Sequence, residues 1–169
     1  MNEFKSSEAI NGDSIVLTFE GTIDEDVQFP PVDLSGHSKI TIDLQAVKAI
    51  NSVGIREWLN WIRPIADKAV IELINCPKAL VFQFNMVEGF LPKNAHVHSF
   101  YVPFFCEKCD REDNVLFTVG HEVSVKAGNV AIQFDAKKSD LCKKGEDDCQ
   151  VEMDVTESKY FQFLKKMAA

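Results

Sequence analysis

Apolar and polar residues alternate along Ser14–Glu20, which predicts a first strand after a polar leader expected to be ragged. The strand ends at Gly21, and Thr22–His37, with Pro30, Pro31 and Gly36, reads as a loop-rich crossing. Ile40, Ile42 and Leu44 then alternate with Thr41 and Asp43, predicting a strand over Lys39–Leu44. Gln45–Ile50 lead into Asn51-Ser52-Val53-Gly54, where the period changes. Ile55, Trp58, Leu59 and Ile62 repeat at helical spacing, so a helix is expected over Val53–Ala66, with Pro64 interrupting the pattern. Val70–Ile74 is the next strand, and the resulting β-α-β unit makes its two strands parallel neighbours or near-neighbours. Pro77 suits the first turn of a second helix through about Met86, with Leu80, Val81, Phe84 and Val87 as its buried face. Gly89 and Pro92 close that helix, and His96–Phe104 alternates as a further strand that completes an α/β layer.

The pattern changes near Phe105. Short β-like runs at Val115–Val119 and Val130–Phe134 are separated by Gly120 and Gly128 and flanked by four cysteines. A region this small carries little core alone, and a metal or docking on a neighbour supplies the missing stability. Tyr160, Phe161 and Leu164 fall at helical spacing within Glu157–Lys166, so the chain is expected to close in an amphipathic helix packed back on the body. The division expected is 1–104 for the α/β layer and 105–169 for the small β-rich region with its terminal helix.

At the strand-to-helix junction, Asn51 and Ser52 are both good capping residues, and Gly54 would let another surface approach the first turn. The first four N–H groups of a helix lack intrahelical partners and its dipole end is positive, so an oxygen or phosphate there is favoured. Ser52 is therefore either an N-cap or a switch. Gly21-Thr22-Ile23-Asp24, Ile42-Asp43-Leu44 and Asn51-Ser52-Val53-Gly54, with the order of elements over roughly Ser14 to Phe104, resemble the STAS (sulphate transporter and anti-sigma-factor antagonist) domain. There an Asp-Ser-Ser-Gly motif follows a strand of this type, and in phosphorylated members its first serine is the acceptor. The resemblance implies Ser52 as phosphoacceptor, Asn51, Ser52, Val53 and Gly54 as a partner-binding surface, and a kinase-like anti-sigma factor as partner. Asn51 stands in place of the aspartate and Val53 in place of the second serine.

Cys106-Glu107-Lys108-Cys109 has the two-residue gap that lets one tight turn aim two thiolates at a single metal. Its partners would be Cys142 and Cys149, which follow after 32 residues and are themselves separated by six where a ribbon-type site usually has two. A structural four-cysteine zinc site is the leading expectation. A site that has lost its metal, and a Cys142–Cys149 or Cys106–Cys109 disulfide, stay open beside it. Phe100-Tyr101-Val102-Pro103 running into Cys106 and Cys109, then Cys149, Met153 and Tyr160-Phe161-Gln162-Phe163-Leu164, is similar to bacterial proteins that join a STAS domain to a zinc ribbon. That likeness implies a STAS-like sheet with packed helices, then a zinc-ribbon-like region and a C-terminal helix.

Charge and composition narrow the function. Eighteen Lys and Arg against 26 Asp and Glu leave a net charge of −8, spread along the chain. Sequence-independent grip on nucleic acid needs clustered cations to replace phosphate counterions, so a protein partner is expected instead. No stretch approaches the roughly 20 apolar residues that span a bilayer, and the N-terminus lacks the basic start and apolar run of a signal peptide, so a cytoplasmic location is expected. An odd count of five cysteines fits, with Cys76 left over as a small buried residue. His96 and His98 would share a strand face, His121 could replace a cysteine ligand, and Trp61 reads as a partly buried contact off the core stripe. Lys137-Lys138 and Lys143-Lys144 read as a solvated loop. Without a glycine-rich phosphate loop, nucleophile elbow or His-Glu-X-X-His pattern, a non-enzymatic module is expected.

Overall fold

The computed structural model describes residues 3–136, 141–142 and 149–168; both basic pairs of the solvated loop lie outside them. β1 (Lys5–Asn11) turns through Gly12 into β2 (Ser14–Ile23), its antiparallel partner. Then come β3 (Lys39–Ile50), α1 (Ser52–Ala66), β4 (Val70–Ile74), α2 (Lys78–Met86) and β5 (Ala95–Val97). β2, β3, β4 and β5 are successive parallel neighbours, so the first sheet has the order β1-β2-β3-β4-β5. Two right-handed crossovers advancing in the same direction put α1 and α2 on the same face. The strands obey this asymmetry. Ile15, Leu17, Phe19 and Ile23 of β2, Ile40, Ile42, Leu44 and Val47 of β3, and Ile71 and Leu73 of β4 are buried. The alternate residues Ser14, Thr41 and Glu72 instead bond one another across the other face.

Several elements differ from the sequence expectation. The leader is ordered as β1, although all seven of its residues are exposed; a ladder of backbone bonds holds it, which no apolar pattern announces. β2 continues through Gly21 (φ 94°) to Ile23 with two register shifts, and β3 continues through Ile50. Pro64 does not end α1; it lies exposed in the last turn.

The expected strand His96–Phe104 is two strands. β5 stays in the first sheet, whereas β6 (Ser99–Cys106) enters a second one. The switch occurs at His98, and the chain remains beside the end of β4: Cys76 N–H donates to Ser99 O at 3.0 Å and Tyr101 N–H to Cys76 O at 2.9 Å. β6 pairs antiparallel with β7 (Arg111–Thr118) on one side. After the hairpin of β8 (Val123–Lys126) and β9 (Asn129–Ile132), β10 (Val151–Met153) pairs with its other side.

The closing helix is also divided, into α3 (Glu157–Tyr160) and α4 (Gln162–Ala168), with Phe161 between them. One side chain of α2 satisfies the break. Asn85 Nδ2 donates to Tyr160 O at 2.9 Å, and its Oδ1 accepts from Phe163 N–H at 2.8 Å. Tyr160, Phe161, Phe163 and Leu164 are all buried, and Phe100 of β6 makes ring contacts with Tyr160, Phe161, Phe163 and Phe117. Phe100→Ala is expected to lower unfolding free energy in urea by about 3–5 kcal/mol, the usual loss for an aromatic truncated in a packed core. Ile10→Ala, at a position 64% exposed, should change it by less than about 0.5 kcal/mol.

Candidate functional site

The start of α1 is fixed by three backbone contacts and one side chain. Asn51 has extended backbone (φ −106°, ψ 179°), its carbonyl accepts from Ile55 N–H at 2.9 Å, and its Oδ1 accepts from Gly54 N–H at 2.8 Å. Asn51 is therefore the N-cap. Ser52 is the first helical residue, which corrects the reading of Ser52 itself as cap. Its side chain is exposed and, among the described residues, its hydroxyl has no hydrogen-bond partner.

Gly54 is buried against the end of β2. A Cβ built there would lie 2.1 Å from Ile23 O and 2.6 Å from Ile23 C, a collision with backbone that no rotamer relieves. The same Ile23 carbonyl accepts from Asn51 N–H at 3.1 Å. The loop after β2 is drawn in too, because Asn51 Nδ2 donates to Glu25 Oε2 at 2.7 Å. Glu25's own backbone N–H, and then this amide, hold its carboxyl below the usual carboxylate range. Farther along that loop, Phe29 stacks on Trp61 with centroids 4.9 Å apart, and Trp61 Nε1 donates to Pro30 O at 2.8 Å. Trp61 is thus a partly buried contact, as its position off the core stripe suggested.

The four paired cysteines converge at the far end of β6. Cys106 is its last residue, Cys109 lies in the turn to β7, and Cys149 stands two residues before β10. With Cys142, their sulfurs all lie within 4.8 Å of one another. Cys109 Sγ is 3.2 Å from Cys142 Sγ and 3.5 Å from Cys149 Sγ, and Cys142 Sγ is 3.7 Å from Cys106 Sγ. A disulfide needs about 2.05 Å, and none joins any of the five cysteines. Tetrahedral coordination with metal–sulfur bonds near 2.3 Å puts sulfurs about 3.8 Å apart, so these spacings suit one ion. Hydrogen bonding with Cys142, then with Cys149, pushes the Cys109 thiol up to about 12, and a hydrogen bond with Cys142 also raises Cys149. A bound cation would compensate the charge of thiolates held this close. The group could hold a metal ion.

The wide Cys142–Cys149 spacing therefore does not prevent convergence, although the intervening loop Lys143–Asp148 lies outside the described residues. His121 does not join the group: its side chain is 81% exposed and its Nδ1 pairs with Glu122 at 2.6 Å. Cys76 is fully buried away from it. Asn85 and the contact between Gly54 and Ile23 carried no motif; the small residue at the helix start was the only hint of the latter. Among the described residues, no helix is long and apolar enough to cross a membrane. No family model matches this chain, and no curated protein matches it.

Asn51→Ala should destabilise the protein by about 1 kcal/mol through loss of the cap. Gly54→Ala should be worse, because the added methyl group meets the Ile23 backbone and the first turn must move. Thermal unfolding of both variants checks the order, and equal midpoints would contradict the close approach.

Proposed function

We propose that this chain is a non-enzymatic regulatory module that binds a protein partner through Asn51, Ser52, Val53 and Gly54 at the start of α1. One observation carries the reading. Asn51 caps the helix and Gly54 packs on β2, which leaves Ser52 exposed with a hydroxyl not used inside the described fold. A residue with no structural duty at a rigid, anion-favouring helix end suits reversible modification. The mixed five-stranded sheet, with helices after its third and fourth strands, supports kinship with STAS-type anti-sigma-factor antagonists. On that reading the partner is a kinase-like anti-sigma factor in the cytoplasm. Phosphorylation of Ser52 adds about −1.5 to −2 charges beside Glu25 and breaks the packed contact.

Zinc is the ion this reading gives the cysteine cluster. Thiolates select it, and a closed four-sulfur shell suits a structural rather than a catalytic ion. Its work is to join the β6–β7 turn to the strand entering β10. A scaffold-subunit reading, with Ser52 inert, draws on Phe82 and Met86, one turn apart on α2 and 38% and 78% exposed. Self-association through α2 that ignores changes at Ser52 would favour it.

Affinity capture from the native cell with wild type and Ser52→Asp tests the switch. The acidic variant should bind the captured protein at least about tenfold more weakly, with a nearly unchanged thermal midpoint because an acid at the first helical position suits the dipole. Equal binding by both would refute phosphoregulation. Freshly purified, reduced protein should contain one equivalent of zinc, and Cys109→Ser should lose it with a lowered midpoint; content well below one equivalent in wild type would remove zinc from the reading.

A further inference from the structure

The four cysteines of the cluster are not equivalent. Cys106, the last residue of β6, is 2% exposed, whereas Cys109, Cys142 and Cys149 are half-buried. Cys109 lies between two of them: its Sγ is 3.2 Å from Cys142 Sγ and 3.5 Å from Cys149 Sγ, while Cys106 Sγ is 3.7 Å from Cys142 Sγ. The shortest of these separations therefore joins two partly exposed residues. Cys109 sits in the β6–β7 turn and Cys142 in the connection after β9, 33 residues further on. The pair brought together is thus neither Cys106–Cys109 nor Cys142–Cys149, the two that are close in sequence.

We propose that Cys109 and Cys142 form a reversible disulfide when they meet a hydroperoxide, so that the cluster is a site of redox modification as well as of metal binding. The hydroperoxide is the sole oxidant the step needs. One of the two sulfurs attacks a peroxide oxygen, the O–O bond breaks, and the other oxygen leaves as water or an alcohol. The second sulfur attacks the sulfenic acid so formed, S–S replaces S–O, and the remaining oxygen leaves as water. Two thiols thus give two electrons to one peroxide. Closure takes the sulfurs from 3.2 Å to about 2.05 Å and breaks no strand pairing, because Cys109 lies in a turn and Cys142 outside the strands. Such a bond is transient in a reducing compartment, as a signal requires. Its consequence rests on the zinc reading given above. Two of four sulfur ligands are lost together, and the remaining pair cannot close a tetrahedral shell, so the ion is released. Cys149 then no longer ties the strand entering β10 to the β6–β7 turn, and β10 is left with its three-residue ladder to β6.

The test uses the full chain as purified under reducing conditions, freed of reductant and treated with hydrogen peroxide. Thiols are blocked at intervals, disulfides are mapped by mass spectrometry, and zinc release is followed in the same samples with a chromogenic chelator. Cys109–Cys142 should be the predominant disulfide, one zinc should leave for each such bond formed, and a dithiol should restore both the thiols and zinc uptake. A different predominant pair, oxidation to sulfinic acid without a disulfide, or survival of all four thiols overturns the proposal. So does a Cys109–Cys142 bond that forms while zinc stays bound. Protein that carries no zinc at the outset removes the zinc reading alone, because the disulfide map is read without it.

Discussion

Burial of Phe100 is the interaction on which the two halves of this structure depend. It stands just past the point where the chain leaves the first sheet for the second, still bonded through its neighbours to Cys76, two residues beyond β4. On it converge Phe117 from β7 and three aromatic residues of the closing helices. Apolar area removed from water contributes roughly 25 cal/mol per Å², so a cluster of aromatics is the strongest joint a small second sheet can form. The closing helix divides at Phe161, and Tyr160, Phe161, Phe163 and Leu164 are all buried across the division. Asn85 makes that break tolerable by bonding the backbone groups it leaves without helical partners.

At the start of α1 the structural demands fall on Asn51 and Gly54. The Ile23 carbonyl receives the Asn51 N–H, and the absent side chain of Gly54 lets the helix come close enough for this. Asn51 closes the helix end with one side-chain atom and holds Glu25 with another. These contacts make a rigid platform. Ser52 is exposed on it, with no side-chain hydrogen bond among the described residues, which is what the proposed switch requires.

At the cysteines, convergence comes from strand pairing. Cys106 and Cys109 are aimed by the β6–β7 turn, and β10 runs back along β6 with Val151 opposite Cys106, which brings Cys149 to the same corner. The loop between Cys142 and Cys149 can thus have any length that closes, since the sheet register sets where its end arrives. A tetrahedral ion fixes donor distances and says nothing of chain length between donors.

Periodicity made the amphipathic elements legible. β2, β3, α1, β4 and α2 each bury one side, and burying one side writes its period into the residues. The two-residue gap of Cys106 and Cys109 was equally plain, since a local turn sets it. Elements held by partners distant in sequence were not legible. β1 depends on a backbone ladder to β2, whose donors and acceptors every residue carries, so seven exposed side chains leave no trace. The division at His98 and the break at Phe161 obey a neighbouring strand and a single amide from α2, neither of which alters the local apolar spacing. The capping role fell to Asn51 rather than Ser52 because either side chain suits a helix end, and the contact with Ile23 selected which residue stands outside the first turn. The sequence alone determined which segments had a face to bury and that two cysteines share a turn. Tertiary structure decided where each segment stops and which atoms meet, because those depend on backbone contacts between residues far apart in the chain.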